Sequence, residues 1–283
     1  MDDGLIVKLK FLLPNLPRAE KVVAKYMLDN FDKVSDMTLT MLAEETGASE
    51  ATVIRLCKDL GFSGYIKLRQ AFASASFSED SEKALSIGHA EPIAEIYDKV
   101  CANITNSLTS TKVFINEGYD AALAALLKAR AVFFFCTGDS GPVCEYAKIK
   151  FQRICIPAFF EEDVMQQYES AMRTTPDDVA IFVSNSGRSS NVVTAAKLAK
   201  QNGCTTISIT QSARSPLGKY IDIPIYMSAL DHTVGRDSIT RRIVAMTVLE
   251  TLYQAVVSHG SRNFPAMLEA TMNSFEINSV LHK

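Results

Sequence analysis

Two patterns of hydrophobic and polar residues divide the chain. Up to about residue 75, apolar residues recur every three or four positions, as in the segment RAEKVVAKYMLDNF. This spacing is typical of amphipathic helices. It predicts a helix over that segment and a shorter one from Thr40 to about Glu45, which Gly47 ends. The first part of the chain is therefore predicted to be all-α.

The pattern changes beyond residue 118, where short apolar runs alternate with amphipathic helical stretches. The runs are AVFFFC, CIPAFF, VAIFVS, TTISIT and DIPIYM. Apolar strands separated by helices are typical of a parallel sheet that helices cover on both faces. The polar segment ASFSEDSEKALSIGHAEP, followed by a helical pattern from Ile93 to about Phe114, predicts a linker and a connecting helix between the two parts.

Composition and charge narrow the possible functions. Hydrophobic residues make up 47% of the chain, charged residues 22%, and the net charge is −3, so no general positive field favours nucleic acid. The six cysteines form no C-x-x-C pair, which favours buried thiols over disulfides or zinc. The longest apolar run is seven residues, and no signal peptide is visible. We expect a cytoplasmic protein with no metal, cofactor or membrane partner.

The segment from Thr40 to Phe72 predicts a helix-turn-helix. Ser49 suits the N-cap of the second helix, and one face of that helix carries the apolar residues Val53, Leu56, Cys57 and Leu60. A short polar helix after a glycine turn fits the major groove of double-stranded DNA. The candidate DNA-binding residues are Ser49, Ala51, Thr52, Arg55 and Lys58, with Lys67 on the next helix as a phosphate contact. An ordinary small helical domain would show a similar face, and the pattern leaves both interpretations open.

A second candidate site lies in SNSGRSS, residues 184–190, between an apolar strand and a predicted helix from Ser190 to about Gln201. The N-terminus of a helix attracts anions, and Gly187 lets the backbone approach a bound group closely. Four serine hydroxyls in the segment favour a phosphate ester as ligand, whereas a single serine would indicate helix capping alone. The loop TGDSG after the first strand offers Ser140 to the same ligand, and it lacks the glycine pattern of a dinucleotide site or a P-loop.

These motifs together resemble the RpiR family of bacterial transcription regulators. GASEATVIRLCKDLGFSGYIKLR, GDSG and SNSGRSSNVVTAAKLAKQNG occur in the family's order, and the likeness covers roughly residues 5 to 260. The resemblance implies a helix-turn-helix domain at residues 1–76, a linker and connecting helix at 77–110, and a SIS (sugar isomerase) domain at 111–283. It also implies a phosphosugar effector held by Ser140, Ser184, Ser186 and Ser189 with Gly187, a recognition helix over Ser49–Leu60, and a homodimer or homotetramer.

Two features depart from this pattern or leave it open. Asp139 stands where the family commonly has a small residue, and a carboxylate repels phosphate unless something compensates it. Arg188 is a candidate ligand residue for that purpose, although a solvated arginine is an equal alternative. An isomerase needs an acid–base pair, and spacing reveals none, even with His232 on a loop. We therefore predict a sensor without catalytic residues; the alternatives are a phosphosugar isomerase with an accessory helical domain and a module that only oligomerises.

Overall fold

A computed structural model describes residues 4–74, 86–228, 239–260 and 263–276. The chain divides into two compact units, one holding the chain up to Val113 and the other beginning at Phe114. The predicted linker lies mostly outside the described residues, and so does His232. Among the described residues, no helix is long and apolar enough to cross a membrane, and no cluster of side chains could hold a metal ion.

The first unit is all helical within the described residues, as its periodicity predicted. Its helices are α1 (Gly4–Leu12), α2 (Arg18–Asp29), α3 (Phe31–Val34), α4 (Leu39–Thr46), α5 (Glu50–Asp59), α6 (Tyr65–Ser74) and α7 (Ile93–Thr111). The apolar stripe of α2 buries Val23 and Met27 completely. Gly47 ends α4 with a φ of 62°, a left-handed conformation that glycine adopts at little cost. Gly47 therefore ends this helix, as the sequence predicted.

The second unit contains a parallel sheet, and each predicted apolar run forms one of its strands. The strands are β1 (Val132–Phe135), β2 (Ala158–Phe160), β3 (Val179–Val183), β4 (Thr205–Thr210) and β5 (Ile223–Tyr226). They lie in the order β2-β1-β3-β4-β5. The helices of this unit are α8 (Glu117–Lys128), α9 (Gly141–Arg153), α10 (Val164–Met172), α11 (Ser190–Gln201), α12 (Thr240–His259) and α13 (Phe264–Glu276).

The centre of the sheet explains why these strands are continuous apolar runs. Every residue of β1 and β3 is buried, which leaves no solvated face to carry polar side chains. Across this strand pair, the rings of Phe135 and Phe182 stack with centroids 4.9 Å apart. The cysteines follow the predicted burial less closely, because Cys101 and Cys155 are exposed whereas the other four are buried.

Candidate functional site

The two predicted ligand loops follow neighbouring strands at the middle of the sheet. β1 pairs with β3 in parallel, with Phe135 opposite Phe182, so the carboxyl ends of both strands meet at one edge. From β1 the chain continues to β2 on one side, and from β3 to β4 on the other. Parallel sheets bind ligands beyond the carboxyl ends of their strands, where the direction of winding reverses. The fold therefore places the loops after β1 and β3 side by side at this edge, where sheets of this kind have their ligand crevice.

The loop after β3 turns at Gly187, which has a φ of 61°. The amide of Gly187 donates to the carbonyl of Ser184 at 3.2 Å, and its own carbonyl accepts from the amide of Leu217 at 3.1 Å. A side chain here would collide with the segment before Leu217, because a Cβ on Gly187 would lie 2.6 Å from the Cβ of Ser215. This position therefore requires glycine for its backbone conformation and for its packing.

Contacts with the end of β4 hold the same loop in place. The amide of Ser184 donates to the carbonyl of Ile209 at 3.1 Å. The carbonyl of Asn185 accepts from the amide of Gln211 at 2.9 Å and from the hydroxyl of Thr210 at 3.1 Å. These bonds fix the loop backbone without using the hydroxyl of Ser186, which is exposed and accepts the amide of Arg188 at 3.3 Å. The loop is thus preformed around an accessible serine.

The predicted ligand residues differ in accessibility. Ser186 and Arg188 are exposed, Ser140 and Ser189 are half-buried, and Ser184 is only 5% exposed. Ser140 and Ser189 precede α9 and α11, and within the described residues neither hydroxyl caps its own helix. Both helix N-termini place the positive end of a dipole at the crevice. Ser140, Ser186 and Ser189 are therefore the more accessible of the predicted serines, whereas Ser184 is buried at the end of β3, where its amide and carbonyl bond to Ile209 and Gly187.

The loop after β1 forms a short 3-10 turn, Gly138–Ser140, with Gly138 at a φ of 59°. Beside it lies a cavity of about 380 Å³. Its lining comprises Cys136, Thr137, Gly138, Gly141, Pro142, Phe160, Glu162, Val164 and Gln167. Gln167, which the sequence did not single out, is buried and accepts the amide of Cys136 through Oε1 at 3.3 Å. Gly138 and Gly141 in this lining flank Ser140, so the cavity adjoins the first of the two predicted ligand loops.

The helix after the first loop carries a buried cysteine, Cys144. Burial raises the pKa of Cys144 well above its usual value, so this thiol in the first turns of α9 stays protonated and is a poor nucleophile at neutral pH.

Asp139 is exposed, and its Oδ1 lies 3.8 Å from Nη1 of Arg242 at the start of α12. Arg242 therefore lies beside the carboxylate, a pair that spacing along the chain could not reveal. The prediction that Arg188 pairs with the phosphate itself is separate and stays a prediction.

The helix-turn-helix presents most of the predicted DNA-binding residues on its surface. Ser49 caps α5 by accepting the amide of Thr52 at 3.2 Å. Val53, Leu56 and Cys57 are fully buried, as predicted. Of the predicted DNA-binding residues on and beside this helix, Ser49, Ala51, Arg55 and Lys58 are exposed, as are the acidic residues Glu50 and Asp59. Helix α5 therefore has the amphipathic form expected of a helix that lies in a groove.

Thr52 is the exception, because the helical pattern placed it beside the exposed face and the structure buries it to 4% exposure. Its hydroxyl lies 2.9 Å from that of Ser49 and accepts Nη2 of Arg55 at 3.1 Å. Nε of Arg55 also lies 3.8 Å from Oε1 of Glu20, an acidic residue of α2 that the sequence did not suggest. Thr52 therefore supports neighbouring side chains and is poorly placed to contact DNA directly.

Helix α6 carries the predicted phosphate contact. Lys67 is exposed on this helix, whereas the adjacent Leu68 is fully buried. Tyr65 fastens the start of α6 to the chain before α4, because its hydroxyl donates to the carbonyl of Met37 at 3.0 Å. Burial raises the pKa of Tyr65, so the phenol remains a hydrogen-bond donor at neutral pH. The helix that carries Lys67 is thereby held against the helix-turn-helix.

Comparison with known families decides the assignment. The family model described as the helix-turn-helix domain of the rpiR family matches residues 4–79, and that of the SIS domain matches residues 125–255. A regulator from Caldanaerobacter subterraneus, named as an uncharacterized HTH-type transcriptional regulator, is 30% identical over 254 residues, which are 89% of this chain and 90% of the relative. The chain belongs to the RpiR family. It is an HTH-type transcriptional regulator with a SIS domain, which confirms the predicted class and order of domains.

Two further relatives of this RpiR-family regulator span nearly its whole length. The transcriptional regulator HexR of Pseudomonas aeruginosa is 28% identical over 96% of the chain and 95% of its own. The structure of Vibrio vulnificus NanR complexed with ManNAc-6P matches with a TM-score of 0.59 and 25% identity, over 95% of this chain and 97% of that one. Relatives named as transcriptional regulators support a regulator over the isomerase alternative.

Proposed function

We propose that this regulator binds operator DNA with an affinity that changes when a phosphorylated sugar occupies its SIS domain. The observation that carries the proposal is the meeting of two serine-bearing loops, each before a helix N-terminus, at the reversal point of the sheet. Such an arrangement suits a phosphate, since hydroxyl donors and two helix dipoles converge on one anion. The complex of NanR with ManNAc-6P supports this ligand class.

Within this proposal, each predicted ligand residue has a defined task. Ser140, Ser186 and Ser189 donate hydroxyl protons to phosphate oxygens, and Arg188 adds a charge-assisted contact from the exposed side of the loop. Gly187 shapes the turn, while Ser184 supplies backbone support. The sugar lies in the cavity beside Gln167, where polar side chains distinguish one sugar from another. No protein group needs to exchange protons with the sugar, because the ligand acts only as a signal.

On the DNA side, α5 enters the major groove and Lys67 of α6 contacts a phosphate. We further propose a homodimer or homotetramer, in which two helix-turn-helix units meet half-sites about one helical turn apart. A roughly palindromic operator follows from such symmetry. Since the protein must reach chromosomal DNA, we place it in the cytoplasm.

A gel-shift competition tests the proposal. Purified full-length protein is incubated with labelled fragments of its genome and excess sheared competitor DNA, with and without a panel of phosphorylated sugars. We expect selective retention of a few fragments and a shift in affinity with at least one sugar phosphate. Inorganic phosphate and the unphosphorylated sugars serve as ligand controls. Binding that shows no sequence selectivity, with or without the panel, would contradict the proposal.

A further inference from the structure

A buried glutamate lies next to the arginine of the proposed recognition helix. Glu20 in α2 is 6% exposed, and its Oε1 is 3.8 Å from Nε of Arg55. The Arg55 side chain is 65% exposed, so the pair joins an interior carboxylate to a cation at the surface. Carboxylates are rarely buried without a partner. Glu20 is thus in a position to control where the Arg55 guanidinium lies before any DNA arrives.

A second contact constrains the same guanidinium. Nη2 of Arg55 donates to the hydroxyl oxygen of Thr52 at 3.1 Å, and that hydroxyl lies 2.9 Å from the hydroxyl of Ser49. The guanidinium is planar and carries its five N–H groups in a fixed fork. Glu20 lies near Nε, and Thr52 accepts one N–H of Nη2, so these two contacts leave both N–H groups of Nη1 and one of Nη2 for a ligand. One N–H from each of these two nitrogens can form paired hydrogen bonds with two acceptors.

We propose that Glu20 is a positioning residue that holds Arg55 ready to read a guanine in the major groove. Guanine presents O6 and N7 as two acceptors, which match the paired donors of one arginine edge. A lysine cannot replace this contact, because its ammonium group is a point charge without the planar fork. The inference rests on the proposed function and deepens it by naming the base that Arg55 recognises.

The negative charge of Glu20 should affect non-specific DNA binding and sequence selectivity in opposite directions. A carboxylate beside Arg55 offsets the attraction of that arginine for phosphates in general. Glu20→Gln removes the negative charge while keeping the size of the side chain, so binding to arbitrary DNA should become stronger and more salt-dependent. Selectivity should fall at the same time, because Arg55 is no longer held in place. A purely structural role for Glu20 would weaken both kinds of binding together.

The test uses the full-length protein and a library of randomised DNA duplexes. We expect the wild type to select a site with at least one required G·C pair. Glu20→Gln and Arg55→Lys should relax the preference at that same pair and lower the ratio of selected-site to random-site affinity roughly tenfold. Lys67→Gln, which removes the proposed phosphate contact on α6, is the matched control. It should weaken binding to both DNAs alike and leave the ratio unchanged.

The outcomes separate this inference from the function on which it rests. If the wild type selects no sequence, the proposed function fails and the inference fails with it. If the wild type selects a site but Glu20→Gln keeps the wild-type ratio and guanine preference, the inference alone is overturned. Retention of the guanine preference by Arg55→Lys overturns it equally. Should Glu20→Gln lose cooperative melting, Glu20→Asp, which withdraws the carboxylate by one methylene, takes its place under the same criteria.

Discussion

Replacing Gly187 with alanine should damage the ligand loop in two separable ways. Its φ of 61° is unfavourable for any residue with a side chain, at a cost of about 1–2 kcal/mol. In addition, the new Cβ would lie 2.6 Å from the Cβ of Ser215, and overpacking of this kind typically costs about 1–3 kcal/mol. We therefore expect Gly187→Ala to destabilise the α/β unit by about 2–5 kcal/mol in total.

Gly138 provides a matched control within the same site. Its φ is 59°, nearly equal to that of Gly187, but a Cβ there would meet no described atom within 4 Å. Gly138→Ala should therefore cost only the conformational part, about 1–2 kcal/mol. The double variant Gly187→Ala/Ser215→Gly should recover the packing part, because it removes the side chain that the new methyl group would strike.

Hydrogen–deuterium exchange of peptides from β3 and β4 measures this effect, since it reports opening of the α/β unit separately from that of the helical unit. Urea denaturation followed by circular dichroism gives an independent value. The reasoning is refuted if Gly187→Ala and Gly138→Ala agree within about 0.5 kcal/mol, the usual error of such comparisons. It is also refuted if Ser215→Gly recovers no stability in the double variant.

Three further variants test a ligand contact, a DNA contact and a partly buried hydrogen-bond network. Ser186→Ala should weaken sugar-phosphate binding by about 1 kcal/mol or more, as for loss of a hydrogen bond to a charged group; unchanged affinity in calorimetry would place the phosphate elsewhere. Lys67→Gln should weaken DNA binding uniformly across sequences and reduce the slope of log affinity against log salt by about 1, whereas an altered sequence preference would argue against a phosphate contact. Burial raises the pKa of Glu250, but hydrogen bonds from Tyr146, Gln254 and Lys150 outweigh it and hold that pKa below its usual value. The resulting stabilisation is present above the ordinary glutamate pKa of about 4.3 and is lost as pH falls through the lower native value. Glu250→Gln should therefore flatten this acid limb in thermal melts, and an unchanged pH profile would contradict the assignment.

The sequence predicted the elements of this fold well because local patterns determine them. Strands buried on both faces must be continuously apolar, and β1 to β5 all coincide with such runs. The predicted helix from Ser190 to Gln201 also agrees with the structure, since the serines before it mark its start. The helix-turn-helix was predicted from these elements, whereas the SIS assignment came from the resemblance of the loop motifs to the RpiR family.

The contacts that shape the sites were less accessible to sequence reasoning. Arg242 beside Asp139 and Glu20 beside Arg55 are distant along the chain, and only the fold brings each pair together. Thr52 was misplaced because a helical pattern assigns faces by angle and cannot show that local hydrogen bonds hold a hydroxyl inward. In the sequence, Gln167 looks like any polar residue of a surface helix, because its bond to the amide of Cys136 joins residues far apart along the chain.

The two ligand loops are held by different segments of the chain. Gln167 of α10 accepts a hydrogen bond from the loop after β1, whereas Ile209 of β4 and Leu217 beyond it bond the loop after β3. A phosphate bound by both loops would join these two sets of contacts across the β1–β3 pair. Its binding would then be measurable as slower hydrogen–deuterium exchange in both loops. A regulator built this way could convey the presence of a metabolite through a change in motion, without any large change in shape.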